Sequence, residues 1–308
     1  MASLRARIAR LVARVSTKAP VARAVGKPDF VRRYRATLDR MKLSFGRTPR
    51  GVARSPIDGA TVHGEWLVPR NTPARRRIIL YQHGGGYVAC SPAHYRSLTG
   101  ALALRCDARV FATDYRLAPE HPFPSALDDV LAVYDWLVGG GVDPADIVAG
   151  GDSAGGGLTL SFLLALRERG SKPIAGAFLL SPWVDLSGSG ESVIANARSD
   201  DVVVRDGATD FARLYAGTAP LDHPIASGLH ADLHGLPPLL VQASSIEILR
   251  DDAVRLVDKA RAAGVDARLH LYDGVHHVWP LFTGLPESRE ALDEITAFVE
   301  ALVPNVSP

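Results

Sequence analysis

The stretch "GGDSAGGG", Gly150 to Gly157, sets one hydroxyl, Ser153, and one carboxylate, Asp152, among five glycines. It follows the apolar run "DIVAG" and precedes "GGLTLSFLLALRERG", whose leucines and phenylalanine repeat at helical spacing, so it reads as a strand-to-helix turn. A phosphate-binding loop needs a lysine after its last glycine, and "GGGLT" has none. A dinucleotide fingerprint cannot be laid over it without placing Asp152 or Ser153 where a turn glycine is needed, and the apolar flanks exclude a flexible linker. What fits is G-x-S-x-G, Gly151 to Gly155, in which a serine stands on a sharp turn at a strand's end and its neighbours two positions away must be tiny. Acyl transfer at such a serine also needs donors for a developing oxyanion. "LYQHGGGY", Leu80 to Tyr87, supplies a glycine loop whose backbone can approach a reacting carbonyl. The amides of Gly85, Gly86 and Ala154 are expected to form that hole, and Gly84, Tyr87 and Asp152 beside them to contact substrate.

The elements that must position these groups alternate along the chain. Strands are expected at Val62–Val68, Ile78–Gln82, Val110–Thr113, Ile147–Ala149, Ala177–Leu180, Leu239–Gln242 and Arg268–Tyr272. Between several of them lie helical patterns: "SALDDVLAVYDWLVGGG", with Ser125 as the expected N-cap, "LRDDAVRLVDKARAAG", and the closing "PESREALDEITAFVEALV". Such alternation implies an α/β protein with a mostly parallel sheet covered on both faces. Residues 1–50 and the turn-rich segment 186–224, with a helical patch near Thr209 to Tyr215, stand outside the alternation and are expected to form a cap over a catalytic body made of 51–185 and 225–308.

Composition narrows the partners. With 308 residues and 47% hydrophobic content the chain can bury a large core, and a net charge of +2, from 35 basic against 33 acidic residues, argues against nucleic-acid binding. Cys90 and Cys106 lack the spacing of a metal site and read as buried thiols, so no metal is expected. From Met1 to Pro28 there are seven basic residues and no acid, with Leu4, Ile8, Leu11, Val12 and Val15 at helical spacing. Arginines interrupt this segment too often for an export signal, and no run approaches the ~18 apolar residues a membrane span requires, so a cytoplasmic protein is expected. The basic helix either packs on the body or lies on an anionic membrane surface, and a homodimer is left open.

"HGGG", "DYRLAPEHPFPSALDD" (Asp114 to Asp129) and "GDSAG", in that order, resemble the hormone-sensitive lipase family of carboxylesterases, an α/β-hydrolase group, from about Val62 to the C-terminus. The resemblance implies a central eight-stranded sheet, a helical cap, no cofactor, and hydrolysis of a small short- to medium-chain acyl ester. It orders the triad as serine, acid, histidine, with Ser153 the nucleophile. Where the family carries a "DPLRD"-like stretch this chain reads "EILRD", Glu247 to Asp251, which makes Glu247 the acid and leaves Asp251 and Asp252 to open the next helix. The family's G-x-x-H spacing picks His277 over His276. "GDSAGG" also differs at only two positions from the "GDSGGP" of chymotrypsin-like proteases, but those are all-β, disulfide-bonded, and carry histidine and aspartate before the serine. A silent α/β-hydrolase-like binding protein is the alternative from another class.

Overall fold

The computed structural model describes residues 2–40, 42–70 and 76–304, so Met1, the head of the basic segment, and the extreme C-terminus lie outside it. Eight strands form one sheet: β1 Val52–Asp58, β2 His63–Pro69, β3 Ile78–Gln82, β4 Arg109–Thr113, β5 Ile147–Asp152, β6 Gly176–Leu180, β7 Leu239–Ser244 and β8 Ala267–Tyr272. Their spatial order is β1-β2-β4-β3-β5-β6-β7-β8. β2 runs antiparallel to β1 and β4; every other neighbouring pair is parallel. This is the α/β-hydrolase sheet.

Eleven α-helices are described: α1 Leu4–Ala13, α2 Ala19–Ala24, α3 Phe30–Asp39, α4 Lys42–Phe45, α5 Arg96–Arg105, α6 Ser125–Gly139, α7 Ala154–Glu168, α8 Ser192–Ala195, α9 Arg205–Ala216, α10 Arg250–Ala262 and α11 Pro286–Leu302. The central strands are buried throughout, as expected when helices cover both faces. Alternation within them sorts the core. Ile78, Leu80, Phe111 and Ala149 join one apolar cluster with residues of α6, α7 and α10, whereas Ile79, Tyr81, Val110 and Val148 join another with residues of α5 and α11.

Two local expectations need correction. β1, "VARSPID", was not among the expected strands: it is a sheet edge with only Val52 buried, so it lacks an apolar run, and its Pro56 is tolerated because one side of the strand needs no partner. Ser125 is the first residue of α6 rather than its cap, and the residue before it, Pro124, has no side chain that could accept a bond.

α1 packs on the body through its alanine face. Ala6, Ala9 and Ala13 are buried, while Leu4, Ile8, Leu11 and Val12, together with Val15 in the π-helical turn Arg14–Lys18 that follows, are exposed. Small side chains let the helix approach closely. On the inner edge, Arg14 donates to Asp201 at 2.8 Å and Lys18 to the Ala197 carbonyl at 2.8 Å.

Candidate active site

Ser153 is the single residue between β5 and α7. Its backbone, φ 53° and ψ −121°, lies where side-chain-bearing residues are rarely found and costs on the order of 1–3 kcal/mol. Surrounding bonds hold it there: its N–H donates to Leu180 O, and its carbonyl accepts from Trp183 N, both at 2.9 Å. A Cβ at Gly151 would run into the Gly155 backbone, and one at Gly155 into the carbonyls of Gln82 and His83. The turn thus requires both glycines.

The loop leaving β3 supplies unengaged donors. Gly85 and Gly86 take φ of 116° and 66°, and among the described residues the amides of Gly85, Gly86 and Ala154 donate to no acceptor. Asp152 is the strut beneath them: its Oδ1 accepts from Gly84 N at 3.0 Å and Tyr81 OH at 2.8 Å, and its Oδ2 from Tyr95 OH at 3.1 Å. Burial pushes its pKa up to about 6, against the pull of the two tyrosine hydroxyls. Gly84 and Tyr87 do not line the cavity that Ser153 faces. Gly84 is turned back onto Asp152, and the Tyr87 ring is stacked on Tyr215 at 3.6 Å, so both support the wall from behind. The tyrosine supports were missed in the sequence, because Tyr81, Tyr95 and Tyr115 converge only through the sheet. Tyr115 OH donates to the His83 carbonyl at 2.6 Å, and its ring stacks on that histidine, whose pKa burial depresses to about 3.

Glu247 follows β7 and His277 follows β8, so adjacent parallel strands deliver both to the carboxyl edge of the sheet. His277 Nδ1 donates to Glu247 Oε2 at 2.6 Å, and Glu247 Oε1 accepts from Ser244 N at 2.9 Å, with both side chains buried. Burial alone would depress the His277 pKa, but the Glu247 carboxylate, aided by Asp200 and Asp152, more than reverses this and raises it above the ordinary histidine value. His276 turns the other way. Its Nδ1 donates to the His277 carbonyl at 2.9 Å, its ring meets Phe282 edge-on, and burial lowers its pKa to about 4, so it is a neutral wall residue. Asp251 and Asp252 lie in the first turn of α10; Asp251 accepts from Ser192 N at 2.8 Å. Ser153 and His277 share one cavity wall, although no hydrogen bond joins them among the described residues. Such contacts commonly tighten only in the substrate complex.

A further support went unseen in the sequence. Segment 192–200 clasps the loop carrying Glu247: Asn196 Nδ2 donates to the Glu247 carbonyl at 2.9 Å, Ser199 Oγ to the Ile246 carbonyl at 3.0 Å, and Ser192 Oγ to the Ile248 carbonyl at 2.7 Å. Asp200 Oδ2 accepts from Ile248 N at 3.0 Å, and its Oδ1 from Val202 N and Val203 N. Asp200→Ala leaves one buried N–H, of Ile248, and two half-buried ones, of Val202 and Val203, without an acceptor, at about 1–3 kcal/mol for the buried one before relaxation. The expected result is a fall in melting temperature of several degrees together with a lower kcat, read by thermal unfolding and ester turnover. Asp251→Asn should leave both nearly unchanged.

The cavity has a volume of about 450 Å³. Ser153, Gly85, Gly86 and His277 lie on its wall together with Val21 of α2, Tyr34 of α3 and Phe211 of α9. Phe211 stacks on Phe30 at 4.8 Å and packs against Tyr34, tying α3 to α9. Cys90 also lines the cavity and is only partly buried, unlike Cys106, and its surroundings raise its thiol pKa, burial first among the causes. Among the described residues no group of His, Cys, Asp and Glu is arranged to hold a metal ion, and no helix is long and apolar enough to cross a membrane.

A family model described as alpha/beta hydrolase fold matches residues 79–281. The crystal structure of an esterase from the bacterial hormone-sensitive lipase family superimposes with a TM-score of 0.86 at 37% identity, covering 98% of this chain and 100% of that one. This chain belongs to the hormone-sensitive lipase family of α/β-hydrolases. Within that family's wider relations, an acetyl-hydrolase of Streptomyces hygroscopicus is 40% identical over 270 residues, 86% of this chain and 88% of its own. An esterase of Acinetobacter venetianus is 35% identical over 87% of this chain and 88% of its own. The hormone-sensitive lipase match spans the helices before β1 as well as the sheet, so the family likeness is not confined to the motifs around Ser153.

Proposed function

We infer that this family member is a carboxylic ester hydrolase using Ser153 as nucleophile, His277 as base and Glu247 as orienting acid. The observation that carries the reading is the buried Glu247–His277 pair opening onto the cavity wall that also bears the strained Ser153. The acetyl-hydrolase and esterase names of similar proteins support it. His277 Nε2 takes the Ser153 proton as Oγ bonds to the ester carbonyl carbon. The oxyanion is held by the amides of Gly85, Gly86 and Ala154. Collapse expels the alcohol, which takes its proton from the imidazolium, and water activated by the same base releases the acid. The cavity and the helices over it suit short- to medium-chain acyl groups, with α1–α4 and α9 acting as the cap.

Release of p-nitrophenol across esters of rising acyl length tests the reading: turnover should peak among short to medium chains and fall for long ones. No release from any of them would refute it. The pH profile gives a second check. The base works only when neutral, so kcat/KM should rise with pH through a midpoint above the ordinary histidine value. In Glu247→Gln the carboxylate is gone and burial dominates, so this acid limb should move to lower pH while the rate drops.

A further inference from the structure

The outer face of α1 is built the wrong way round for a helix that only packs on its own protein. Leu4, Ile8, Leu11 and Val12 fall in one arc, continued by Val15 in the π-helical turn after it, with exposures of 70%, 55%, 63%, 51% and 64%. The opposite arc, Ala6, Ala9 and Ala13, is the packed one, and Ala6 sits among Tyr272, Val275, Trp279 and Ala291. The segment leaves its five large side chains in water, at a cost that a stable monomer normally avoids.

Charge says what covers the stripe. Arg10 and Arg14 are used internally, on Asp201. Arg5 and Arg7, both exposed on either side of the stripe, make no ion pair among the described residues, and no acid occurs from residue 1 to 28. An apolar face bordered by unpaired arginines matches an anionic lipid surface: the side chains enter the acyl region and the guanidinium groups meet headgroup phosphates. The stripe also runs into the site, since Val12 and Val15 belong to the cavity wall along with Ser153.

We propose that the outer face of α1 docks on an anionic lipid surface, seating the cavity toward the lipid so that ester substrates enter from the membrane phase. Docking stands on the stripe and its arginines; the delivery of esters rests on the proposed Ser153 chemistry. The two are measured separately. Full-length Ser153→Ala protein, which leaves the lipid intact, is floated with vesicles of phosphatidylglycerol and phosphatidylcholine, and with phosphatidylcholine alone. The anionic vesicles should capture it several-fold better, less so at high salt. Leu4→Ser/Ile8→Ser/Leu11→Ser in the same background should lower capture by about tenfold or more, and Arg5→Glu/Arg7→Glu by about tenfold on anionic vesicles only. None of these five residues lines the cavity. In the otherwise wild-type chain, both variants should therefore keep kcat/KM on a soluble p-nitrophenyl ester within about twofold, which also reports an intact fold. They should lose hydrolysis of an ester embedded in vesicles. Absence of flotation, or undiminished flotation of the triple variant, overturns the docking. So does a triple variant that converts a dimer to a monomer in sedimentation while no form binds vesicles, since the stripe is then an interface between copies. Flotation without any ester turnover would leave the docking standing and refute the Ser153 reading alone.

Discussion

Replacing Ser153 by Ala is expected to lower kcat for a p-nitrophenyl ester by five to six powers of ten, roughly 7 to 8 kcal/mol of transition-state stabilisation. In the proposed mechanism the nucleophile, base and acid act as one unit, and the other two have nothing to activate once the hydroxyl is gone, which is why the expected loss is this large. The substitution should not unfold the protein. An alanine Cβ takes the place of the serine Cβ in the same strained backbone, and the bonds that hold the turn, from Ser153 N to Leu180 O and from Trp183 N to Ser153 O, are main-chain. Circular dichroism and melting temperature should therefore match the parent within a few degrees. A fluorophosphonate should label the parent at the peptide containing "GGDSAGGG" and leave Ser153→Ala unlabelled. Retention of a tenth of the activity would remove this serine from the mechanism.

The second large effect is expected at His277. His277→Ala takes away the imidazole that is bonded to Glu247 and that, in the proposed mechanism, accepts the serine proton, and turnover should fall nearly as far as with loss of the serine. The variant also leaves the buried Glu247 carboxylate with its bond from Ser244 N but without the one to His277, so a loss of stability of several degrees in melting temperature should accompany it. Glu247→Gln should cost up to about four powers of ten in turnover, because an amide can hold the ring in the wrong tautomer. His276→Ala is the contrast. Its side chain gives the cavity an edge against Phe282 and one bond to a carbonyl, so a change in KM or acyl preference is expected with kcat lowered by less than about tenfold. A profile in which His276 is the sensitive member would mean that the loop after β8 presents the other imidazole to substrate.

Most strands were legible because parallel strands covered on both faces read as short apolar runs, and β3 and the start of β5 lie where those runs stand. β1 was not legible: an edge strand with one buried residue and a proline carries its pairing information in β2, not in itself. The serine turn was legible for a related reason. The residue types it needs, Gly151 and Gly155 on either side of Ser153, stand within two positions of it and so show as a pentapeptide, although the carbonyls of Gln82 and His83 that exclude a side chain at Gly155 come from β3.

The rest of the site is long-range. Gly84 and Tyr87 carry no local sign that they face away from the cavity; that follows from Asp152, 68 residues beyond Gly84, and from Tyr215 of α9. Asp200 is an ordinary loop acid in sequence, and it becomes a support for the acid loop only because the chain brings it to Ile248 N, 48 residues on. The N-terminal helix shows the division most clearly. By itself the sequence determined that residues 4–15 form an amphipathic basic helix, since periodicity and charge are local properties. Which face turns inward was decided only by the tertiary structure. The surface offered by Tyr272, Val275 and Trp279, with Asp201 placed to take Arg10 and Arg14, receives the alanine side of the helix and leaves its large side chains to solvent.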